Sequence, residues 1–525
     1  MGEFKASEIM NLINEKGLLL SPDMQDLIES EQGISQVKTF LENYSGDSLV
    51  INRNLLDDFI KNYVLSFPES KMDSEKNYEK ELEAQSQKSD FKEQDAIKKL
   101  DRTGFKVNIV TMYEKESGDR KIQDFVKLFN ARFKMIEKLL SGREQISSRI
   151  SISRLKNKFD RETVSIIAMV SDISFTKNGH IILAVEDATG SFKVLFTKNN
   201  PELFLEASTL TLDEVIGIRG QTAKDMLFAT EIFWPEVPIL DMKKSPDDEY
   251  AIFLSDFHFG SKNFLPDEFN KFINWIRGET GSEGLREIAQ KVKYIFIIGD
   301  LVDGVGIYPN QYNELEIKDI YAQYRECMDK IKLIPDDKAI IICPGNHDAL
   351  RLSEPQPAIS KKLAPDLHEM KNVFMVSNPA IINIGKSEQF SGFNVLMYHG
   401  YSFDYYMANI EEIRNNGGYD KPELIMKYLL KRRHLGPTYG STLYVPEAEF
   451  DPLVITEVPD IFATGHIHKS CIKNYRNITM ICGSCWQSIT SFQEKVGHHP
   501  EPCRVPIVHL STRKMKILKF TKENA

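Results

Sequence analysis

Apolar residues follow two different rhythms along this chain. In the second half they gather in unbroken runs, within FLSDFH, IFIIGDLVDG, IIICPGNHD, VLMYHG and IFATGHIH, each four to six residues of Ile, Val, Leu, Phe, Ala and Met. Runs without polar alternation predict strands buried on both faces of a helix-covered sheet. Between residue 163 and about 240 the pattern is shorter and more alternating: VSIIAMVSDI, HIILAVED, GSFKVLFT, EVIGIRGQ and MLFATEIFW, punctuated by Asn-Gly, Thr-Gly and Arg-Gly. Short strands with turn signals between them predict a small β-barrel.

The remaining third has a helical period. SEIMNLINEKGLLL, MQDLIESE and SQVKTFLENY predict a small helical domain over residues 1–67. Residues 68–105 are rich in Lys, Glu, Asp, Gln and Ser, which predicts a charged flexible linker. FKVNIVTMY then predicts a strand and DFVKLFNARFKMIEKLL an amphipathic helix, grouped with the barrel as a domain over 106–240; residues 241–525 form the last domain. The expected class is therefore multidomain α/β. At 525 residues the chain is too long for one core, which agrees with this partition.

Each long apolar run breaks off at residues of the types that bind metals. Strand-end loops of layered α/β sheets converge on one crevice, so residues far apart in sequence can meet there. Asp256, His258, Asp300, Asn346, His399, His466 and His468 supply enough donors for two ions. A two-metal phosphoester site needs a bridging carboxylate, neutral imidazoles and oxygen donors with positions left open. Asp300 is the natural bridge. Asp256 and His258 share one face of an extended segment, His466 and His468 repeat that spacing, Asn346 offers a neutral oxygen, and His399 would close the second shell. The nitrogen and oxygen mixture favours manganese, with iron, zinc or magnesium as alternatives.

Taken singly these signals are weak. Asp-x-His occurs widely, His399 fits a satisfied core histidine, and Gly-Asp-x-x-Asp-Gly fits an ordinary turn. Gly-Asn-His-Asp after a buried run is more specific, and the ordered set of five is specific.

That ordered set resembles the calcineurin-like metallophosphoesterase superfamily. The resemblance implies a layered domain with two packed sheets, with Asp256, His258, Asp300 and His468 on one metal and Asp300, Asn346, His399 and His466 on the other. It implies that His347 is the general acid and that Asp303 orients such a histidine. The barrel segment VSDISFTKNGHIILAVEDATGSFKVLFT resembles the oligonucleotide-binding (OB) fold, although a barrel that only supports its neighbour fits equally well.

A barrel ahead of such a domain is similar to the family of archaeal polymerase D small subunits and eukaryotic polymerase B-subunits. ALRLSEPQPAI and LLKRRHLGPTYG sharpen the likeness to the archaeal branch. This family implies 3′-to-5′ exonuclease activity, a large catalytic polymerase subunit, primer–template DNA with a single-stranded 3′ end, and a sliding clamp as partners. A silent scaffold subunit and a free-standing phosphatase or phosphodiesterase are the rival readings.

Charge and composition narrow the picture. A net charge of −10 argues against gripping DNA with the whole surface, so contacts must be local. Lys431, Arg432 and Arg433, followed by His434, either close a helix at its negative dipole end or touch a DNA backbone near the metals. Six cysteines are few for this length; Cys482 and Cys485, with Cys503 and His498 or His499, have the types for a zinc site, but the setting GSCWQS favours packing. No run has the length of a membrane span and the first residues lack a signal-peptide core, which predicts a cytoplasmic protein with no membrane partner.

Overall fold

A computed structural model describes residues 19–20, 50–51, 104–115, 118–495 and 497–521. Apart from residues 19–20 and 50–51, the helical domain expected over 1–67 and nearly all of the expected linker lie outside the described residues. Leu19–Leu20 and Val50–Ile51 form a short parallel pair in the unit spanning 1–96, and everything that follows belongs to the unit spanning 97–525.

Strand β1 (Val107–Thr111) and helix α1 (Ile122–Ser141) come first. Five strands then close a barrel: β2 (Thr163–Phe175), β3 (Ile181–Asp187), β4 (Gly190–Phe196), β5 (Val215–Ala223) and β6 (Met226–Phe233), joined in the order β2-β3-β4-β6-β5. Their inward residues, such as Ile166, Leu183, Val185, Val194 and Ile218, fill the interior. Gly220 sits at a bulge in β5, where a Cβ would collide with the backbone oxygen of Phe228.

The last domain contains β7 (Tyr250–Leu254), α2 (Pro266–Ile276), α3 (Glu283–Lys291), β8 (Val292–Ile298), α4 (Ile320–Ile331), β9 (Ala339–Cys343) and β10 (Val373–Met375). It continues with β11 (Ala380–Ile384), β12 (Phe393–Met397), α5 (Phe403–Asn409), α6 (Pro422–Arg432), β13 (Ile461–Thr464), β14 (Cys471–Tyr475), β15 (Ile478–Cys482), β16 (Arg504–His509) and β17 (Met515–Lys519). One sheet runs β10-β9-β8-β7-β16-β17 and the other β14-β15-β13-β12-β11-β1.

The two sheets explain the unbroken runs. In β7, Ala251 and Phe253 enter a core shared with Val395, Met397 and Ile461 of the other sheet. Ile252 and Leu254 point the other way, into a core with Phe272 and Tyr324 of α2 and α4. Phe462 and Leu396 face outward from the second sheet against Tyr406 and Leu429 of α5 and α6. Period two is present, but both faces are apolar because both are covered. Fully burying each such side chain is worth about 1.5–3 kcal/mol.

Two expectations change. Strand β1 does not lead into the barrel; it is the edge strand of the second sheet, with Ile109 opposite Ile382. Phe105, placed at the end of the linker, packs edge-on against Phe374. Helix α1 bridges the domains, with Leu128 in the outer core of the second sheet and Ile136 and Leu140 against Ile167 and Met169 of the barrel.

The basic cluster forms a bolt between the same two domains. Arg432 Nε lies 2.8 Å from Glu214 Oε1, and Arg432 Nη2 donates to the Thr209 carbonyl at 2.7 Å. Arg433 ends α6 in the left-handed region and donates through Nε to the Ile455 carbonyl at 2.6 Å. Arg432 and Arg433 are only 4% and 3% exposed, so neither can lie on a DNA backbone. Lys431 stacks its ammonium 3.6 Å over the Trp234 ring, beside Glu206. Of the two readings of this cluster, burial removes the DNA contact for Arg432, held by Glu214 and the Thr209 carbonyl, and for Arg433, held by the Ile455 carbonyl, while Lys431 stays partly exposed.

Candidate metal centre

The parallel registers place the ends of β7, β8 and β9 side by side, with Leu254 opposite Ile297 and Ile298 opposite Cys343. Pairing continues past the strands, where Asp256 N donates to Gly299 O at 3.0 Å and His258 N to Asp300 O at 3.1 Å. Met397 opposite Ala463 aligns the second sheet in the same way. Asp256, His258, Asp300 and Asn346 come from the first sheet, and His399, His466 and His468 from the second.

Five of these residues adopt a backbone conformation normally left to glycine: Asp256 (φ 53°), His258 (55°), Asp300 (53°), His466 (69°) and His468 (56°). The left-handed region costs a side-chain-bearing residue about 1–2 kcal/mol. Such strain survives where the surroundings over-determine it, and here it accompanies the inward turns after β7, β8 and β13.

The side chains meet in two overlapping groups. Asp256, His258 and His468 form one: Nε2 of His258 and Nε2 of His468 face each other at 3.1 Å, and Asp256 Oδ1 lies 3.4 Å from the latter. Asp300 and His399 belong to the other with Asp256; His399 Nε2 is 3.3 Å from Asp300 Oδ2 and 3.0 Å from Asn346 Oδ1. The same Oδ2 of Asp300 is 3.9 Å from His258 Nε2. Asp300 thus stands between the groups.

The far nitrogens of the histidines are held. His399 Nδ1 donates to the Ile298 carbonyl at 2.8 Å, the Gln493 side-chain amide lies 2.8 Å from His468 Nδ1, and Asp303 Oδ1 lies 3.2 Å from His258 Nδ1. Each contact aims the opposite nitrogen, Nε2, at the shared space. His466 is turned differently. Its Nε2 is 3.0 Å from Asp404 Oδ2, so Nδ1 is the nitrogen it can offer.

His347 lies beside the first group, its ring 4.7 Å from that of His258. Its backbone N–H donates to Asp300 Oδ1 at 2.8 Å, and its Nδ1 donates to the backbone carbonyl of Asp303 at 2.8 Å. The orienting contact therefore comes from the main chain of Asp303. The carboxylate of Asp303 turns instead to His258 and accepts from Gln311 Nε2 at 3.0 Å.

Electrostatics reflect the crowding. Burial alone would raise the Asp300 carboxyl, but His399, His347 and His258 outweigh it and hold it well below the usual range. Burial opposes the charged form of His399, yet Asp300 pushes it up to about 10. Burial lowers His347, against the pull of Asp300, and leaves it neutral near pH 7. Asp348 is pushed up to about 7, first by burial and then by Asp300; it accepts from the Gly345 N–H at 2.9 Å and from the Tyr324 hydroxyl at 3.0 Å, pinning the Asn346 loop.

The donor set fits divalent metals. Without an ion the two imidazole tips share one hydrogen bond beside crowded carboxylates, whereas a cation among them would be matched by nitrogen and oxygen donors at once. A Cβ at Gly345 would collide with Asp300, one at Gly299 with His399, and one at Gly465 with Asp256, so this space depends on glycine. All seven expected ligands reach the region, with His466 the outlier. Asp404, Gln493 and Gln311 were not foreseen: Asp404 lies in HGYSFD, a segment with a readable His-Gly but no rule for the Asp, and Gln493 carries no local signal at all.

The cysteines do not join in. All six are buried free thiols, and burial raises Cys482, Cys485 and Cys503, with Cys482 well above its ordinary value. Among the described residues no candidate metal group contains a cysteine. No helix among them is long and apolar enough to cross a membrane.

Comparison with known proteins places this geometry. Residues 251–470 match the calcineurin-like phosphoesterase family. The chain is 39% identical over 400 residues to a DNA polymerase II small subunit of Methanothermobacter thermautotrophicus, covering 76% of this chain and 80% of that protein. It is 39% identical over 397 residues to the subunit of that name from Archaeoglobus fulgidus, covering 75% and 76%, and 35% identical over 410 residues to the one from Pyrococcus furiosus, covering 77% and 65%.

Proposed function

This chain belongs to the family of archaeal DNA polymerase II small subunits and carries a calcineurin-like phosphoesterase domain, and from that premise we propose that it hydrolyses DNA from the 3′ end as the proofreading partner of a large catalytic subunit. One observation carries this reading: Asp300 Oδ2 lies 3.3 Å from His399 Nε2 and 3.9 Å from His258 Nε2, between two sets of donors. A silent scaffold would bear the strain and the buried charge of this cluster with nothing to offset them.

Asp256, His258, His468 and Asp300 would hold one divalent ion, and Asp300, Asn346, His399 and His466 Nδ1 the other. Manganese suits this nitrogen and oxygen mixture. When bound, the ions would acidify a water and neutralise charge on the phosphate oxygens.

The residues of the chain supply the remaining steps. His347 has Nδ1 committed to the Asp303 carbonyl, so Nε2 exchanges protons with substrate. Burial keeps the free imidazole neutral, and a phosphodiester anion beside it favours the protonated form. Water oxygen bonds to phosphorus as the P–O3′ bond breaks. The 3′ oxygen of the penultimate nucleoside leaves with the His347 proton, and the proton given up by water returns to solvent. The products are a nucleoside 5′-monophosphate and a shortened strand.

The test uses a 3′-mismatched primer, the purified chain with and without its large subunit, and manganese. Stepwise release of nucleoside 5′-monophosphates that stops on chelation is the expected result. Faster hydrolysis of a phosphomonoester than of the primer, or internal cuts only, would overturn the reading.

A further inference from the structure

The space beside His347 is lined by aromatic residues that the metal chemistry does not use. Tyr308, in the loop after β8, has its ring 6.4 Å from the His347 ring. Phe492, in the short helix Ser491–Lys495, stacks on Tyr308 at 5.5 Å with 27° between the planes. Ile307 extends the surface; it packs over Gly304, where a Cβ would meet both Ile307 and the His347 carbonyl oxygen. Phe492 is 46% exposed and Ile307 37%. The cores under the two sheets include none of these three residues.

Their position is fixed relative to the reacting centre. Gln493, next to Phe492, holds His468 Nδ1, and the Ser491 hydroxyl meets Glu314. Glu314 also accepts from the Tyr308 hydroxyl at 3.2 Å, so both rings are tied to one frame. A pre-aligned aromatic pair, with Phe492 exposed and Tyr308 half-buried behind it, offers a face to any nucleobase, because every base has a π-face. This suits an enzyme that must remove all four nucleotides.

The side on which the pair lies identifies the base it meets. His347 protonates the departing 3′ oxygen, so a ring beside His347 adjoins the nucleoside that carries this oxygen. We propose that Tyr308 and Phe492 form a base-stacking subsite for the penultimate nucleoside, the residue that becomes the new 3′ end. The proposal rests on the exonuclease reading for its polarity.

The test is optical. A single-stranded oligonucleotide carries 2-aminopurine at the penultimate or the terminal position and is titrated with the full chain in calcium, where turnover is suppressed. Stacking should quench the penultimate probe much more than the terminal one. Phe492→Ala should abolish that difference and weaken binding about tenfold, and Phe492→Tyr should restore both. Elemental analysis of Phe492→Ala must show wild-type metal content, or the effect runs through His468 and the subsite is overturned. Equal or absent quenching, in a chain that trims the same oligonucleotide with manganese, would overturn the subsite and leave the exonuclease standing. Quenching without trimming would keep a base-binding pair and overturn the exonuclease, and the loss of both would overturn both.

Discussion

Among the described residues, two clusters of buried charge differ in a way that separates architecture from chemistry. In the bolt between barrel and phosphoesterase domain, opposite charges meet: Arg132 Nε lies 2.6 Å from Asp451 Oδ2, which the neutral His434 also approaches through Nε2 at 2.9 Å, and Arg432 Nε lies 2.8 Å from Glu214. The Arg432 guanidinium also covers the Tyr428 ring at 3.2 Å. In the metal centre the side chains crowd onto one space, with imidazole tip facing imidazole tip at 3.1 Å and three aspartates within one group of loops. Only that cluster is built on a row of left-handed residues. Buried charge alone says little about function; histidines and aspartates from several strand ends converging on one space, on strained backbone, say a great deal.

The contrast would break most sharply at Asp300. Asp300→Asn keeps the volume but weakens the bridge, so phosphodiester hydrolysis should fall to background and bound metal, measured by elemental analysis, should drop while circular dichroism stays native. Full metal content with full activity would remove Asp300 from the centre. His347→Ala should separate proton transfer from metal binding: hydrolysis should fall about 10²–10⁴-fold with metal content unchanged. A leaving group that needs no proton, such as p-nitrophenolate, should recover most of that loss, and failure to do so would argue against an acid role.

At the bolt the expected readout is stability. Arg432→Ala leaves Glu214 buried and unpaired, which should cost about 3–5 kcal/mol in denaturant unfolding while activity per folded molecule is retained. Arg432→Met with Glu214→Leu should recover most of it, since apolar packing can replace a buried pair. A variant that unfolds normally but fails to bind DNA would return this arginine to the DNA-contact reading.

How far the sequence could carry the contrast follows from range. The convergence of Asp256, His258, Asp300, His399 and His468 was readable because each follows a buried strand, and strand ends in layered sheets share an edge; the barrel was readable from alternation and turn residues. The rest depended on pairings across the chain. Arg432 finds Glu214 across the domain boundary, and Lys431-Arg432-Arg433 reads as a cationic surface until that partner is in place. The same holds for β1, whose place beside β11 rests on residues such as Ile382, far along the chain. Asp303 was visible as a carboxylate, but whether its side chain or its carbonyl meets His347 depends on a rotation that no motif encodes.

The smallest expected effect concerns pH, and it tests the bolt without removing any of its charge pairs. Burial, followed by the neighbouring Arg132 charge, pushes His434 down to about 4, against the pull of Asp451. The unfolded imidazole titrates near 6.5, so the folded state disfavours the proton. The stability this contributes is complete above about pH 6.5 and is lost as pH falls from there through about 4. Glu354 runs the other way: burial pushes it up to about 7, so its contribution is complete below its ordinary value of 4.5 and fades as pH rises through 7. Urea midpoints should therefore decline on both sides of a maximum between these limits. His434→Gln, which cannot take up a proton, should flatten the acid limb and leave the alkaline limb unchanged. An acid limb that keeps its full slope in this variant would move the acid sensitivity away from the bolt and toward the histidines of the metal centre.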